Sequence, residues 1–183
     1  NILSGDIMSI NKKEFNLEQV VKLCVVVNIS LFLFVAFMLT LFVYFNITPM
    51  IYYSVIALFG YVLYFMLLKR QKVCAYMWCV YATIIIYMAI ATICLGYKCG
   101  FHLYSMSLIP IIFYSQYIST KTDTKDPNQL AVSIAIVAVS IISSAIAIIN
   151  GPLYEINKTI ISVMLACNAI SVSAFLIYYT KMI

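Results

Sequence analysis

Apolar residues run along this chain in long stretches separated by short polar turns. A helix rising 1.5 Å per residue needs about 20 apolar residues to cross roughly 30 Å of hydrocarbon. Six stretches come near that length: 23–44, 49–68, 73–95, 103–118, 130–149 and 160–179. The pattern predicts an all-α fold, a polytopic membrane bundle of six transmembrane helices. A polar cytoplasmic lead covers 1–19, the bundle 20–180, and residues 181–183 begin a cytoplasmic linker. The fourth stretch is the shortest and carries Ser105, Ser107, Pro110, Ser115 and Gln116. A proline there frees a backbone carbonyl, so an irregular or kinked helix is expected around Ser105 to Pro110.

Charge sets the direction. Lys12, Lys13 and Lys22 precede the first span; Lys69, Arg70 and Lys72 lie between the second and third; Lys121 and Lys125 between the fourth and fifth; Lys181 after the sixth. The other side holds only Lys98 and Lys158. Basic loops stay cytoplasmic, so this asymmetry predicts both termini inside, and an even number of spans agrees. Tyr44, Tyr52, Tyr53, Tyr97, Tyr104, Tyr117, Tyr178 and Tyr179 fall near span ends, where tyrosines anchor at the headgroup level.

Composition agrees with this reading. Of 183 residues, 65% are hydrophobic and 9% charged, against about 25% charged in soluble domains, and the mean hydropathy is +1.06. The lipid bilayer is the expected partner, with no nucleic acid, since the excess of basic residues is scattered over short loops. The first apolar stretch is too long for a signal core and is expected to remain in the product, and both ends read as cuts from a longer chain.

No Asp, Glu, Arg or His lies inside an expected hydrocarbon core, which argues against an ion pump or proton-coupled carrier, although Asn28 and Asn168 are polar enough to meet a neutral solute. Phosphate-binding glycine loops, nucleophile elbows and two-histidine zinc motifs are missing, so no catalysis and no cofactor or metal is expected. The six cysteines, Cys24, Cys74, Cys79, Cys94, Cys99 and Cys167, lie mostly at membrane depth, where a thiol packs as a small apolar group. Cys99 is expected in an outer loop, accessible from outside; pairing with Cys94 requires the end of the third span to unwind. Cys99 and His102 share a helical spacing, but two ligands do not make a metal site. Asn46-Ile47-Thr48 and Asn157-Lys158-Thr159 match the glycosylation pattern. Spans five and six carry small residues, Ala131, Ala135, Ser140 and Ser144, then Ala166, Ala169, Ser173 and Ala174. These predict close packing of the two spans on each other, or a dimer contact.

One outer loop carries more chemistry than a linker needs. It reads Leu95-Gly96-Tyr97-Lys98-Cys99-Gly100-Phe101-His102-Leu103-Tyr104, followed by Leu108-Ile109-Pro110. Two glycines four apart permit tight turns, and aromatics and a thiol crowd between them. Two readings follow, a compact structural turn or a ligand-sensing loop with Tyr97, Phe101 and Tyr104 around the mouth of the bundle.

The string LGYKCGFHLY with LIPIIFY downstream resembles the outer-loop signature of six-span sensor regions in bacterial, particularly clostridial, membrane proteins that end in a GGDEF (diguanylate cyclase) or other nucleotide cyclase domain. The resemblance is carried by Gly96, Cys99, Gly100, Phe101, Tyr104 and Pro110. Tyr97 stands where that family usually has Trp, and Lys98 where it has an acidic residue, a reversal that argues against carrying over any cation-binding role. The resemblance implies the sensory half of a signalling protein in the bacterial cell membrane, acting as a homodimer and answering an unknown small-molecule ligand at the outer face. The alternatives are a small-solute-binding transporter subunit, like the S components of energy-coupling transporters, and a structural or assembly subunit. Against the S component, the first span shows large residues, Val25 to Phe32, in place of alanines at four-residue spacing.

Overall fold

A computed structural model describes residues 17–105, 107–110, 112 and 129–180. Five long helices account for most of them: α1 (Leu17–Tyr44), α2 (Thr48–Lys69), α3 (Val73–Leu95), α4 (Gln129–Asn150) and α5 (Lys158–Thr180). No strand occurs among the described residues. Each of the five is long and apolar enough to cross a membrane. They fall on the first, second, third, fifth and sixth expected spans. The fourth stretch is helical at 103–105, 107–110 and 112. It opens with bonds three residues back, from Leu103 to Gly100, Tyr104 to Phe101 and Ser105 to His102, tighter than an α-helix. The rest of that stretch, the turn after it, the lead with Lys12 and Lys13, and Lys181 lie outside the described residues.

Short turns make α1, α2 and α3 an antiparallel series, and both turns close in the same way. At the first, Asn46 takes φ +55° while the Ile47 N–H returns to the Phe42 carbonyl at 3.0 Å. At the second, Gln71 takes φ +54° and the Lys72 N–H returns to Leu67 at 3.0 Å. A left-handed residue followed by a bond five positions back ends a helix while satisfying its last carbonyls, and Pro49 then restarts the chain at the head of α2. Asn157 serves a similar end on α5, its side-chain oxygen accepting the Thr159 N–H at 3.2 Å, a capping role for one of the two glycosylation-pattern asparagines.

Burial follows helical spacing, but the exposed faces are apolar too. On α1, Leu23, Val27, Leu31, Val35, Met38 and Phe42 are buried, while Val26, Ile29, Leu33 and Phe37 face outward. Helices hydrophobic all round belong in a solvent of lipid, where burial against another helix gains little over contact with acyl chains. Polar contacts then specify the packing. Tyr76 donates to the Cys24 carbonyl at 3.1 Å, Asn28 to the Tyr61 carbonyl at 3.0 Å, and Tyr53 to the Thr83 carbonyl at 3.1 Å, joining α3 to α1, α1 to α2 and α2 to α3. The Tyr76 bond puts the start of α3 beside the start of α1, so Lys22, Lys69, Arg70 and Lys72 share one end of the bundle. Lys98 and Lys158 lie at the other.

Two expectations are corrected. Of the two readings of the small residues, packing of the two spans on each other gives way to packing of α4 on α3 within the chain. Its inward stripe is Ser133, Ile136, Ser140, Ser143 and Ala147, whereas Ala131 and Ala135 are exposed. On α5, Ala166, Ser173 and Ala174 are likewise exposed. Spacing of four alone does not say which face a helix turns inward; the serines and Ile136, at alternating spacings of three and four, do. The second correction concerns the tyrosines. Tyr44, Tyr52 and Tyr97 are exposed near the end that carries Lys98, but Tyr104 is buried and Tyr53 half-buried, each spending its hydroxyl on a bond within the bundle.

Candidate functional site

The glycine-bracketed loop begins where α3 stops. Gly96 takes φ +86° and ψ 161°, a region essentially confined to glycine, while its N–H still bonds the Thr92 carbonyl at 3.0 Å. One turn of 3₁₀ helix follows, Tyr97–Cys99, and Gly100 closes it at φ +81° and ψ 11°, the left-handed conformation. The loop therefore reverses twice within five residues, and each reversal rests on a glycine.

Both glycines also let neighbours come close. A Cβ on Gly96 would stand 3.2 Å from the Pro152 Cβ, in the α4–α5 connection. One on Gly100 would stand 2.5 Å from the Leu165 Cδ1 and 3.6 Å from the Leu165 Cα of α5. The α4–α5 connection is itself tied down, since the Tyr154 N–H donates to the Cys94 carbonyl at 3.1 Å and satisfies the end of α3.

These turns drive the loop inward. Cys99 and Phe101 are 0% exposed. The Phe101 ring packs edge-on to Tyr87 with centroids 6.3 Å apart, and Tyr87 in turn meets Tyr53 at 5.9 Å and Phe42 at 6.4 Å. Tyr104 is buried against Phe34 at 5.8 Å. The expected ring of Tyr97, Phe101 and Tyr104 around an open mouth is thus corrected: two of the three are plugs. Burying an aromatic ring outweighs leaving it at an interface once the chain can turn sharply enough to aim it inward, which the glycines permit. Tyr97 alone remains outside, 43% exposed, stacked on His102 at 4.0 Å with 12° between the rings. Pro110 sits on the exposed side of the fourth stretch and does not join this cluster.

Asn168 of α5 fastens the plug. Fully buried, its amide nitrogen donates to the Cys99 carbonyl at 2.8 Å and its oxygen accepts the Tyr104 hydroxyl at 3.3 Å. One side chain of the last helix therefore holds both ends of the inward turn. Ser140 of α4 reaches the same region, donating to Ser105 at 3.2 Å. Sequence reading noted Asn168 only as a polar group fit for a solute. The usable signal was a carboxamide in the middle of a span with no other strongly polar side chain, where such groups bond across helices.

The electrostatics are quiet. Burial pushes the Cys99 thiol up to about 11, so it stays protonated at neutral pH, and its Sγ donates to the Leu95 carbonyl at 3.4 Å. Accessibility of Cys99 from outside is therefore also corrected: the residue is in the loop but turned into the bundle. Burial holds the His102 imidazole below its ordinary value, partly countered by a bond with the Tyr97 backbone, which leaves a neutral ring with a buried Nδ1. Cys94 and Cys99 are both free thiols. Among the described residues no three His, Cys, Asp or Glu side chains gather to hold a metal. What the arrangement can do is mechanical: movement of the loop backbone and of α5 are linked through two hydrogen bonds and one close glycine contact. No family model matches the chain, and neither does any curated protein or solved structure.

Proposed function

We propose that this chain is the membrane-embedded signal-input region of a bacterial signalling protein, with six spans and both ends in the cytoplasm. Its outer loop sets the position of the last helix, and that helix controls a cyclase output domain. The single observation carrying this reading is Asn168, which bonds the Cys99 carbonyl and the Tyr104 hydroxyl from the middle of α5. A loop serving only to connect α3 to the next helix has no need of a buried hold on the last one. Lys22, Lys69, Arg70 and Lys72 at one end and Lys98 and Lys158 at the other support the orientation.

The mechanism is a choice between two packings. In one, Phe101 stays beside Tyr87 and Asn168 keeps both bonds. In the other, a ligand draws the loop out or tightens it, Asn168 changes partners, and α5 shifts against the rest of the bundle. In a homodimer such a shift alters the spacing of two output domains. Interhelical hydrogen bonds in membranes average about 0.6 kcal/mol each, so the two packings can differ by an amount that ligand binding readily overcomes.

The test is a chain joined after Ile183 to a diguanylate cyclase domain. Asn168→Leu keeps the size of the side chain and removes both bonds. The expected result is a change in cyclase output at equal membrane abundance, with Ile170→Val, on the lipid face of the same helix, behaving as the parent. Equal output from parent and Asn168→Leu would reject the signalling reading.

A further inference from the structure

We infer that the groove between α1 and α5 binds the hydrocarbon chain of a neutral, single-chain lipophile that reaches it from the bilayer. This rests on the signalling reading above and places its ligand within the bilayer, against Tyr104, in place of the outer face. The groove is lined by Val26, Ser30 and Phe34 of α1 and by Ser171, Ala174 and Phe175 of α5. Its volume is about 380 Å³, within the range of small-molecule sites. From Val26 to Phe34 the helix rises about 12 Å, so the groove suits a slender chain lying along the helix axis.

Two observations separate it from an ordinary lipid-facing surface. First, it backs onto a small crevice inside the bundle. Val27 and Phe175 line both the groove and an inner crevice bounded by Leu31, Val80, Ile84, Tyr104 and Leu108. The crevice is only about 30 Å³, and Val27 and Phe175 form a wall common to it and the groove. Second, the groove wall borders the device already described. Phe34 in the groove wall packs on Tyr104, whose hydroxyl holds Asn168, and Ser171 lies beside that hydroxyl. A chain in the groove therefore presses on the same tyrosine that Asn168 grips.

The lining also fixes the ligand's polarity. Among the described residues, no charged one borders either space. The Ser30 hydroxyl already donates to the Val26 carbonyl at 2.9 Å, Ser107 to the Tyr104 carbonyl at 2.9 Å, and Tyr76 to the Cys24 carbonyl. An ionised headgroup would meet no opposite charge among the described lining residues, which disfavours fatty acids and phospholipids. A long alcohol or similar neutral chain meets no such penalty.

The experiment uses the purified chain in phosphatidylcholine nanodiscs with a diazirine-bearing dodecanol as photoprobe. Labelling is expected to saturate, to concentrate on residues 26–34 and 171–175, and to be displaced by unlabelled dodecanol but not by dodecanoate. Ala174→Trp fills the groove and should lower labelling by at least about tenfold, the equivalent of ~1.4 kcal/mol. Ser30→Leu, which narrows the groove from α1, should act in the same direction, and Ile141→Trp on the lipid face of α4 should not. Labelling that fails to saturate, or that spreads evenly onto Phe59 and Ile141, would overturn the site. So would disulfide cross-linking between two copies at Ala174→Cys, which would make the groove a contact between chains. Saturable labelling with no effect of dodecanol on a joined cyclase would keep the site and reject the signalling role. Absent labelling in a protein whose output still depends on Asn168 would reject only the site.

Discussion

Gly100→Val lowers the unfolding temperature of the purified protein in detergent while its abundance in membranes stays at the parental level. Two costs add at this position. A β-branched residue at φ +81° and ψ 11° carries backbone strain of roughly 1–3 kcal/mol. Its Cβ must also displace the Leu165 side chain, 2.5 Å away, and overpacking of this kind costs typically about 1–3 kcal/mol. Gly151→Val separates the two terms. Gly151 also has positive φ, +73°, but nothing lies within 4 Å of its Cβ position, so only the strain remains. The expected order is parent, Gly151→Val, Gly100→Val, with the last lowest. Equal losses at the two glycines would mean that the loop does not rest on α5. Insertion is unaffected because the apolar spans, not the loop, determine it.

Phe101→Ala has the second large effect. The ring is fully buried against Tyr87, and truncating a buried Phe to Ala costs typically about 3–5 kcal/mol through lost contact and the cavity left behind. Lipid can refill a site on the bundle surface but not one enclosed under the loop. Phe59, 69% exposed on the lipid face of α2, is the matched control, and Phe59→Ala is expected to leave the unfolding temperature near that of the parent. If the two alanine variants unfold together, Phe101 is not a plug. In the joined cyclase, Phe101→Ala should also shift output, since it removes the group that favours the inward packing.

Five of the six expected spans were legible in the sequence to within a few residues because lipid demands a single property, apolarity, over a fixed length. The expected span 73–95 and the helix Val73–Leu95 coincide, and α2 and α4 extend one residue beyond expectation at each end. α1 starts six residues earlier, at Leu17, because Lys22 is tolerated at a helix end where its ammonium can reach water. Which faces pack was less legible. With every face apolar, hydropathy cannot distinguish Val26, exposed, from Val27, buried; the distinction rests on tertiary bonds such as Tyr76 to Cys24. The loop was found through its glycines, and both take positive φ. Its direction was not. Gly-Tyr-Lys-Cys-Gly-Phe contains nothing that says whether Phe101 points out or in, because Leu165, Pro152 and Asn168, which decide it, lie more than fifty residues away in the chain.

The inward loop gripped by α5 is tested most directly by labelling intact cells with a membrane-impermeant maleimide. One variant keeps Cys99 alone among the six cysteines, and a second replaces all six and carries Lys98→Cys. Lys98 is exposed and its neighbour Cys99 is 0% exposed, so burial is what sets the two thiols apart. Lys98→Cys should label rapidly from outside and faster as pH rises from 7 toward 9, as an ordinary thiol of pKa about 8.5 ionises. Cys99 should stay protected over the same range, because burial pushes its thiol up to about 11 and the thiolate fraction remains small. Adding Asn168→Leu to the Cys99 variant removes two bonds of about 0.6 kcal/mol each and should raise its labelling several-fold, while Phe101 still keeps it well below Lys98→Cys. Rapid labelling of Cys99 in the parent background, or labelling unchanged by the loss of Asn168, would contradict the account.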